Sequence, residues 1–233
     1  MENRASDEVR MLENMWEQVK EHMQKEQQQK IQNYRYLNKT VRKGQILFTG
    51  SSLMEQFPVC ELSSVCGLDK LVYNRGVGGF TTDDFLREID TVLLNLEPSK
   101  VFINIGTNDM HEWEDGRDWM EHLLGNYEAI LKVGKERLPQ TEFYLMAYYP
   151  VNGELPENNP HAAAMLKVRT NGNIARANRR VSKLAEAYGY HFIDVNQGLT
   201  DEKGNLKADF TVEGVHMFAE AYGIVFDNLK RYL

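Results

Sequence analysis

A histidine, a carboxylate three residues before it, an asparagine, a glycine-rich loop and a pair of serines supply the residue types that acyl transfer needs, and this 233-residue sequence holds all of them. The reaction requires a nucleophile, a base, a group that orients the base, and donors aimed at a developing oxyanion. Ser51 and Ser52 follow Gly50 in "ILFTGSSLMEQF", residues 46 to 57, where an apolar run gives way to a helix-like pattern. Hydroxyls there are either ordinary turn chemistry or a nucleophile at the edge of a sheet. That stretch by itself leaves both readings open. His216, in "DFTVEGVH", can take a proton near neutral pH. Glu213 lies three residues earlier, one helical turn away, and its carboxylate could accept from the imidazole; Asp209 is the rival acid. Asn108, in "GTND", carries an uncharged N–H donor, and the side-chain-free loop around Gly79, in "NRGVGGF", lets a backbone N–H approach a substrate closely.

These segments are far apart in sequence, so a framework must gather them. Short runs rich in β-branched and aromatic residues at 45–49, 71–74, 100–105, 142–148 and 190–195 read as strands. Helical patterns lie between them near 81–96, 117–137 and 171–188, with a last one from about 213 to 231. Strand and helix alternating five times imply an α/β fold: a three-layer α/β/α arrangement around a five-stranded parallel, flavodoxin-like sheet. Right-handed crossovers put every strand's carboxyl end on one edge, where such folds bind ligands. Each of the polar segments above follows a strand or precedes the last helix, so all converge on that edge.

Residues 7 to about 36 read as one long helix in which Leu12, Trp16, Val19 and Met23 form an apolar stripe. Residues 1–40 are expected to be a helical extension packed on the body of the protein or on a partner, a second copy in a homodimer being the partner considered. Residues 41–233 form the one remaining domain.

The 42% hydrophobic and 26% charged composition is that of a globular protein. A net charge of −7 with no clustered Lys/Arg stripe argues against a nucleic-acid partner. The apolar runs are strand-sized, so no membrane insertion is expected. The charged amino terminus lacks the apolar centre of a secretory signal, which makes the cytoplasm the expected location. Cys60 and Cys66 match no zinc spacing and are expected to be reduced. No metal or organic cofactor is expected, since His22, His111, His122, His161 and His191 show no metal-binding spacing.

From about residue 45 to the end the chain resembles the SGNH, or GDSL-type, serine esterases (lipases and acylhydrolases), named for a Ser, Gly, Asn and His in four blocks. The blocks here are "FTGSSLMEQ", "NRGVGGFTTDD", "INIGTND" and "VEGVHMFAEAY". The resemblance implies Ser52 as nucleophile, Gly79 and Asn108 as oxyanion donors beside the Ser52 N–H, and His216 as base. It also implies the SGNH hydrolase fold and a carboxylic ester substrate. Two positions depart from the family pattern: Ser51 stands where Asp is usual, and Glu213 replaces the Asp of Asp-x-x-His. Glu serves as the third triad member in some hydrolases. "PVN", residues 150–152, recurs in carbohydrate-active members, so the expected substrate is a short acyl ester, such as acetyl, on a carbohydrate or other small molecule. A lysophospholipid or platelet-activating-factor-like ester is the alternative, and a catalytically silent binding domain on the same fold is a third reading. Arg75, Tyr149 and Trp113, near the strand ends, are the candidate substrate-binding residues; Trp119 and Tyr148 are further aromatics there.

Overall fold

The computed structural model describes the backbone of residues 2–155 and 160–233 and the side chains of residues 17–155 and 162–233. Leu12 and Trp16 of the apolar stripe, and His161, lie outside the described side chains.

The runs of β-branched and aromatic residues form the strands, and the helices alternate with them. Helix α1 (Glu2–Leu37) precedes β1 (Ile46–Gly50); α2 (Ser52–Glu55) and α3 (Val59–Ser64) lead to β2 (Val72–Asn74). Then α4 (Thr82–Arg87) and α5 (Ile89–Val92) lead to β3 (Lys100–Asn104), and α6 (Trp119–Arg137) to β4 (Glu142–Met146). Helices α7 (Pro160–Leu166) and α8 (Asn171–Tyr188) precede β5 (His191–Ile193), and α9 (Ala219–Leu229) follows it. The five strands pair in parallel in the order β2-β1-β3-β4-β5, so β1 lies between the strands that feed the glycine loop and the "GTND" loop.

Period-two alternation divides the core into two layers. Leu47, Val101, Ile103, Phe143 and Leu145 pack on one face, with α6 and α8. Ile46, Phe48, Phe102, Tyr144 and Met146 pack on the other, with Phe57 and α9. Phe48, Phe102 and Tyr144 stack across adjacent strands with 4.7 Å between successive ring centroids. Cross-strand aromatic pairs of this kind hold neighbouring strands in register.

Helix α1 anchors through its second half, where Ile31 is buried and Arg35 pairs with Glu88 at 2.8 Å, and just past its end Asn38 donates to the Thr91 carbonyl at 2.7 Å. Residues 17–26 are exposed.

Two helices differ from expectation. The pattern at 81–96 is not one helix but α4, α5 and a 3₁₀ turn over Leu94–Leu96. Val92, Leu93 and Leu94 are all buried, and three consecutive residues cannot share one face of a straight helix. The last helix begins at Ala219 rather than near 213. The Thr211 hydroxyl accepts the Gly214 N–H at 2.9 Å and donates to the His216 carbonyl at 2.7 Å, closing residues 211–217 into a tight loop instead. Cys60 and Cys66 are free, exposed thiols. Among the described residues, no helix is long and apolar enough to cross a membrane.

Candidate active site

The serine turn is shaped by Gly50. Its φ is +150°, and a Cβ there would sit 2.0 Å from the Asn104 carbonyl oxygen on β3, so only glycine lets β1 end this close to its neighbour. Ser51 then caps α2 in an extended conformation, buried, with its hydroxyl unpartnered among the described residues. Ser52 is the first residue of α2.

His216 reaches this serine from the far end of the chain. Tyr222 of α9 donates to the Leu53 carbonyl at 2.9 Å and stacks on Phe57 with ring centroids 5.1 Å apart. Those contacts dock α9 beside α2 and carry the 211–217 loop to Ser52. The buried Asn152 of "PVN" supports the loop from below, its backbone N–H donating to the Gly214 carbonyl at 2.8 Å. His216 Nε2 lies 3.0 Å from Ser52 Oγ, and His216 Nδ1 lies 2.5 Å from Glu213 Oε1. A carboxylate only accepts, so Nδ1 carries the ring proton and Nε2 is left to accept from the serine hydroxyl. Glu213 Oε1 also accepts the His216 backbone N–H at 3.0 Å. The Glu213–His216 contact is therefore made within a tight loop, not across a helical turn. Asp209 is exposed, and among the described residues no hydrogen bond or ion pair joins it to His216.

Ser52, Gly79, Asn108 and His216 all face one cleft of about 950 Å³. Asp109 does not; it is fully buried, and its carboxylate accepts the Thr82 N–H at 3.0 Å and the Thr82 hydroxyl at 2.5 Å. Burial pushes the Asp109 carboxyl up to about 6. Asp109 and Asp83 with His122 also form the group among the described residues whose ligand atoms lie close enough, within 4.8 Å, to hold a metal ion. Asp83 and His122 pair with each other at 2.7 Å.

The three candidate substrate-binding residues stand elsewhere. Arg75 is buried beneath α1, its guanidinium 4.9 Å from the Tyr34 ring and bonded to Asn38 Oδ1 at 3.0 Å. Tyr149 is buried in the layer under α9. Trp113 packs against His111 with the rings tilted at 33° and donates to the Asp109 carbonyl at 3.3 Å, so it supports the rim and leaves His111 to face the cleft. Tyr148 is likewise buried, its hydroxyl donating to the Ile105 carbonyl at 2.8 Å.

Several cleft residues were not read from the sequence, and four of them make contacts that shape the site. Gln27 and Lys30 come from α1, Glu55 from α2, and Arg169 from the turn before α8. The Glu55 carboxylate accepts the Gly78 N–H and pairs with Lys30, which ties the glycine loop to both helices. Glu55 lies one turn beyond Ser52 on the same helix and was legible by spacing. Nothing in the sequence marks Gln27, Lys30 or Arg169, whose partners are distant.

The profile of the GDSL-like Lipase/Acylhydrolase family matches residues 61–224. A structure from Streptococcus pneumonia, provisionally named a platelet activating factor, is 33% identical, with 92% of this chain and 95% of that chain covered and a TM-score of 0.78. A GDSL-like lipase from Bacteroides thetaiotaomicron is 22% identical over 87% of this chain and 96% of its own, with a TM-score of 0.70. An acetylxylan esterase from Geobacillus stearothermophilus is 16% identical over 82% and 94%, with a TM-score of 0.61, and has the same fold. None of the curated proteins matches the chain.

Proposed function

The chain belongs to the GDSL-like lipase/acylhydrolase family and is a carboxylic ester hydrolase, and on that premise we propose that it works through Ser52, His216 and Glu213 by way of an acyl-enzyme. The observation that carries this reading is the imidazole of His216 standing between Ser52 Oγ and Glu213 Oε1.

His216 Nε2 takes the Ser52 proton as Oγ bonds to the ester carbonyl carbon. The carbonyl π pair moves onto oxygen, and the oxyanion is met by the N–H groups of Ser52 and Gly79 and by the Asn108 carboxamide. Collapse breaks the ester C–O bond while protonated His216 gives its proton to the departing alkoxide. Water, deprotonated by His216, then repeats the sequence and frees the acid. Glu213 holds the imidazole in the tautomer that both steps need.

A short acyl ester, such as acetyl, on a carbohydrate or other small molecule is the proposed substrate. A platelet-activating-factor-like or lysophospholipid ester is the second reading, favoured by the 33% identity to the Streptococcus pneumonia protein. The two readings differ in the leaving alcohol, and rates on acetylated sugars against acetylated glycerophospholipids separate them. We also propose a cytoplasmic location and a homodimer through α1, the latter resting on the exposed Val19 and Met23. A monomeric mass by sedimentation would remove the dimer.

The test of the serine is direct. Ser52→Ala is expected to abolish p-nitrophenyl acetate hydrolysis and fluorophosphonate labelling while leaving the melting temperature near that of the wild type. Full residual activity would show that another group is the nucleophile.

A further inference from the structure

An asparagine carboxamide is nearly symmetric in shape, so its two flips fill the same space while presenting opposite polarity. For Asn108 the flip decides whether the cleft sees an N–H or a carbonyl oxygen. Two partners fix it. Asn108 Nδ2 donates to the Phe80 carbonyl at 2.9 Å, and Asn108 Oδ1 accepts from Arg169 Nη2 at 2.8 Å. A backbone carbonyl can only accept and a guanidinium can only donate. Flipping the amide would set carbonyl against carbonyl and NH₂ against guanidinium, and both bonds would be lost together. The remaining Nδ2 hydrogen is then the one free for an anion in the cleft.

We propose that Arg169 is a positioning residue that locks the Asn108 carboxamide in its donating orientation and polarises it toward the oxyanion; the inference rests on the reading of Asn108 as an oxyanion donor.

The burial of Arg169 supports the assignment. It is 5% exposed, yet it faces the catalytic cleft, and its Nε has no partner among the described residues. Keeping a cation there costs free energy that a residue placed only for packing need not incur. Burial pulls the guanidinium down to about 10 while the charges of Asp109 and Glu213 resist that shift, so it stays protonated at neutral pH. The chain runs from guanidinium to amide oxygen, through the conjugated amide, to the N–H and the oxyanion. Charge-assisted hydrogen bonds in such a chain strengthen one another. The oxyanion forms only along the reaction path and is absent from the bound ester, so the benefit is felt in kcat rather than KM.

The test is a double-mutant cycle with p-nitrophenyl acetate, using Arg169→Met, Arg169→Lys and Asn108→Ala. Arg169→Met is expected to lower kcat about 10²-fold, the scale of losing one oxyanion donor, with KM unchanged. Arg169→Lys should lose less, because an ammonium supplies the donor without the planar fork. In the Asn108→Ala background neither change should lower kcat further. Should Arg169→Met melt below assay temperature, Arg169→Lys completes the same cycle. Wild-type kcat in both arginine variants overturns the inference, and so does a loss that persists at full size once Asn108 is gone. An active Ser52→Ala would instead overturn the reading of the site itself.

Discussion

Gln27 Nε2 donates to the carbonyl oxygen of Gly78 at 2.8 Å, joining α1 to the peptide unit whose other end is the Gly79 N–H. A peptide bond is planar and trans, so its C=O and N–H point in opposite directions. Holding the carbonyl toward α1 turns the Gly79 N–H away from that helix. Gly78 itself lies beside the serine, since a Cβ on it would be 3.9 Å from Ser52 Cβ. A helix outside the span matched by the family profile thereby helps orient a proposed oxyanion donor.

Replacing Gln27 with Leu removes that bond while keeping a helix-forming residue of similar size. A single hydrogen bond is worth about 0.5–1.5 kcal/mol net, so kcat/KM is expected to fall roughly 2- to 10-fold. The melting temperature should move little, because Gln27 is only half-buried. Steady-state kinetics beside a thermal melt distinguish this from general loosening of the fold.

Glu213 and Asp209 make opposite predictions. Glu213→Gln leaves the side chain's shape but presents an amide that can stabilise either tautomer and no longer balances an imidazolium. A kcat loss of about 10²–10⁴-fold is expected, by analogy with removal of the acid in other triads. Asp209→Ala, at an exposed position with no hydrogen bond or ion pair to His216 among the described residues, should leave kcat within about twofold. An equal loss in both variants would contradict the geometry.

Gly50→Ala is expected to be among the most damaging single changes in the chain. The new Cβ would meet the Asn104 carbonyl oxygen at 2.0 Å, and the φ of +150° is one that L residues rarely adopt. Relief requires β1 and β3 to part at the point where the serine turn begins. A loss of several kcal/mol, of the order seen when buried backbone is displaced, should appear as a large fall in denaturation midpoint.

Asp109 gives the protein a pH signature. Its folded pKa, about 6, lies above the unfolded value of 3.8, so the folded state holds the proton more tightly. The stabilisation from this group is full below pH 3.8 and is lost as pH rises through about 6. Asp109→Asn has no proton to release. Its melting temperature relative to the wild type is therefore expected to rise between pH 4 and pH 7, and scans across that interval check the sign.

The order of the elements, the parallel sheet and the four blocks were legible in the sequence because they are local. Strands announce themselves by β-branched runs, and Ser52, Gly79, Asn108 and His216 each sit in a short segment of distinctive chemistry. Asp109, bracing its loop through Thr82, is likewise carried by two such segments. The exceptions were also local: three consecutive buried residues broke the helix at 81–96, and the Thr211 side chain kept residues 211–217 out of the last helix.

What the sequence by itself determined, then, was which groups could react and which edge of the sheet would hold them. Tertiary structure alone decided how those groups are aimed. Gln27 acts on a carbonyl 51 positions away, and Arg169 on an amide 61 positions away. No periodicity or composition records such pairs. Arg75 shows the converse: by position it belongs at the strand end, but its guanidinium is drawn beneath α1 between Tyr34 and Tyr73, where aromatic faces and Asn38 accept it. A side chain's direction is set by the partners that packing brings to it, and those partners are chosen only when distant segments meet.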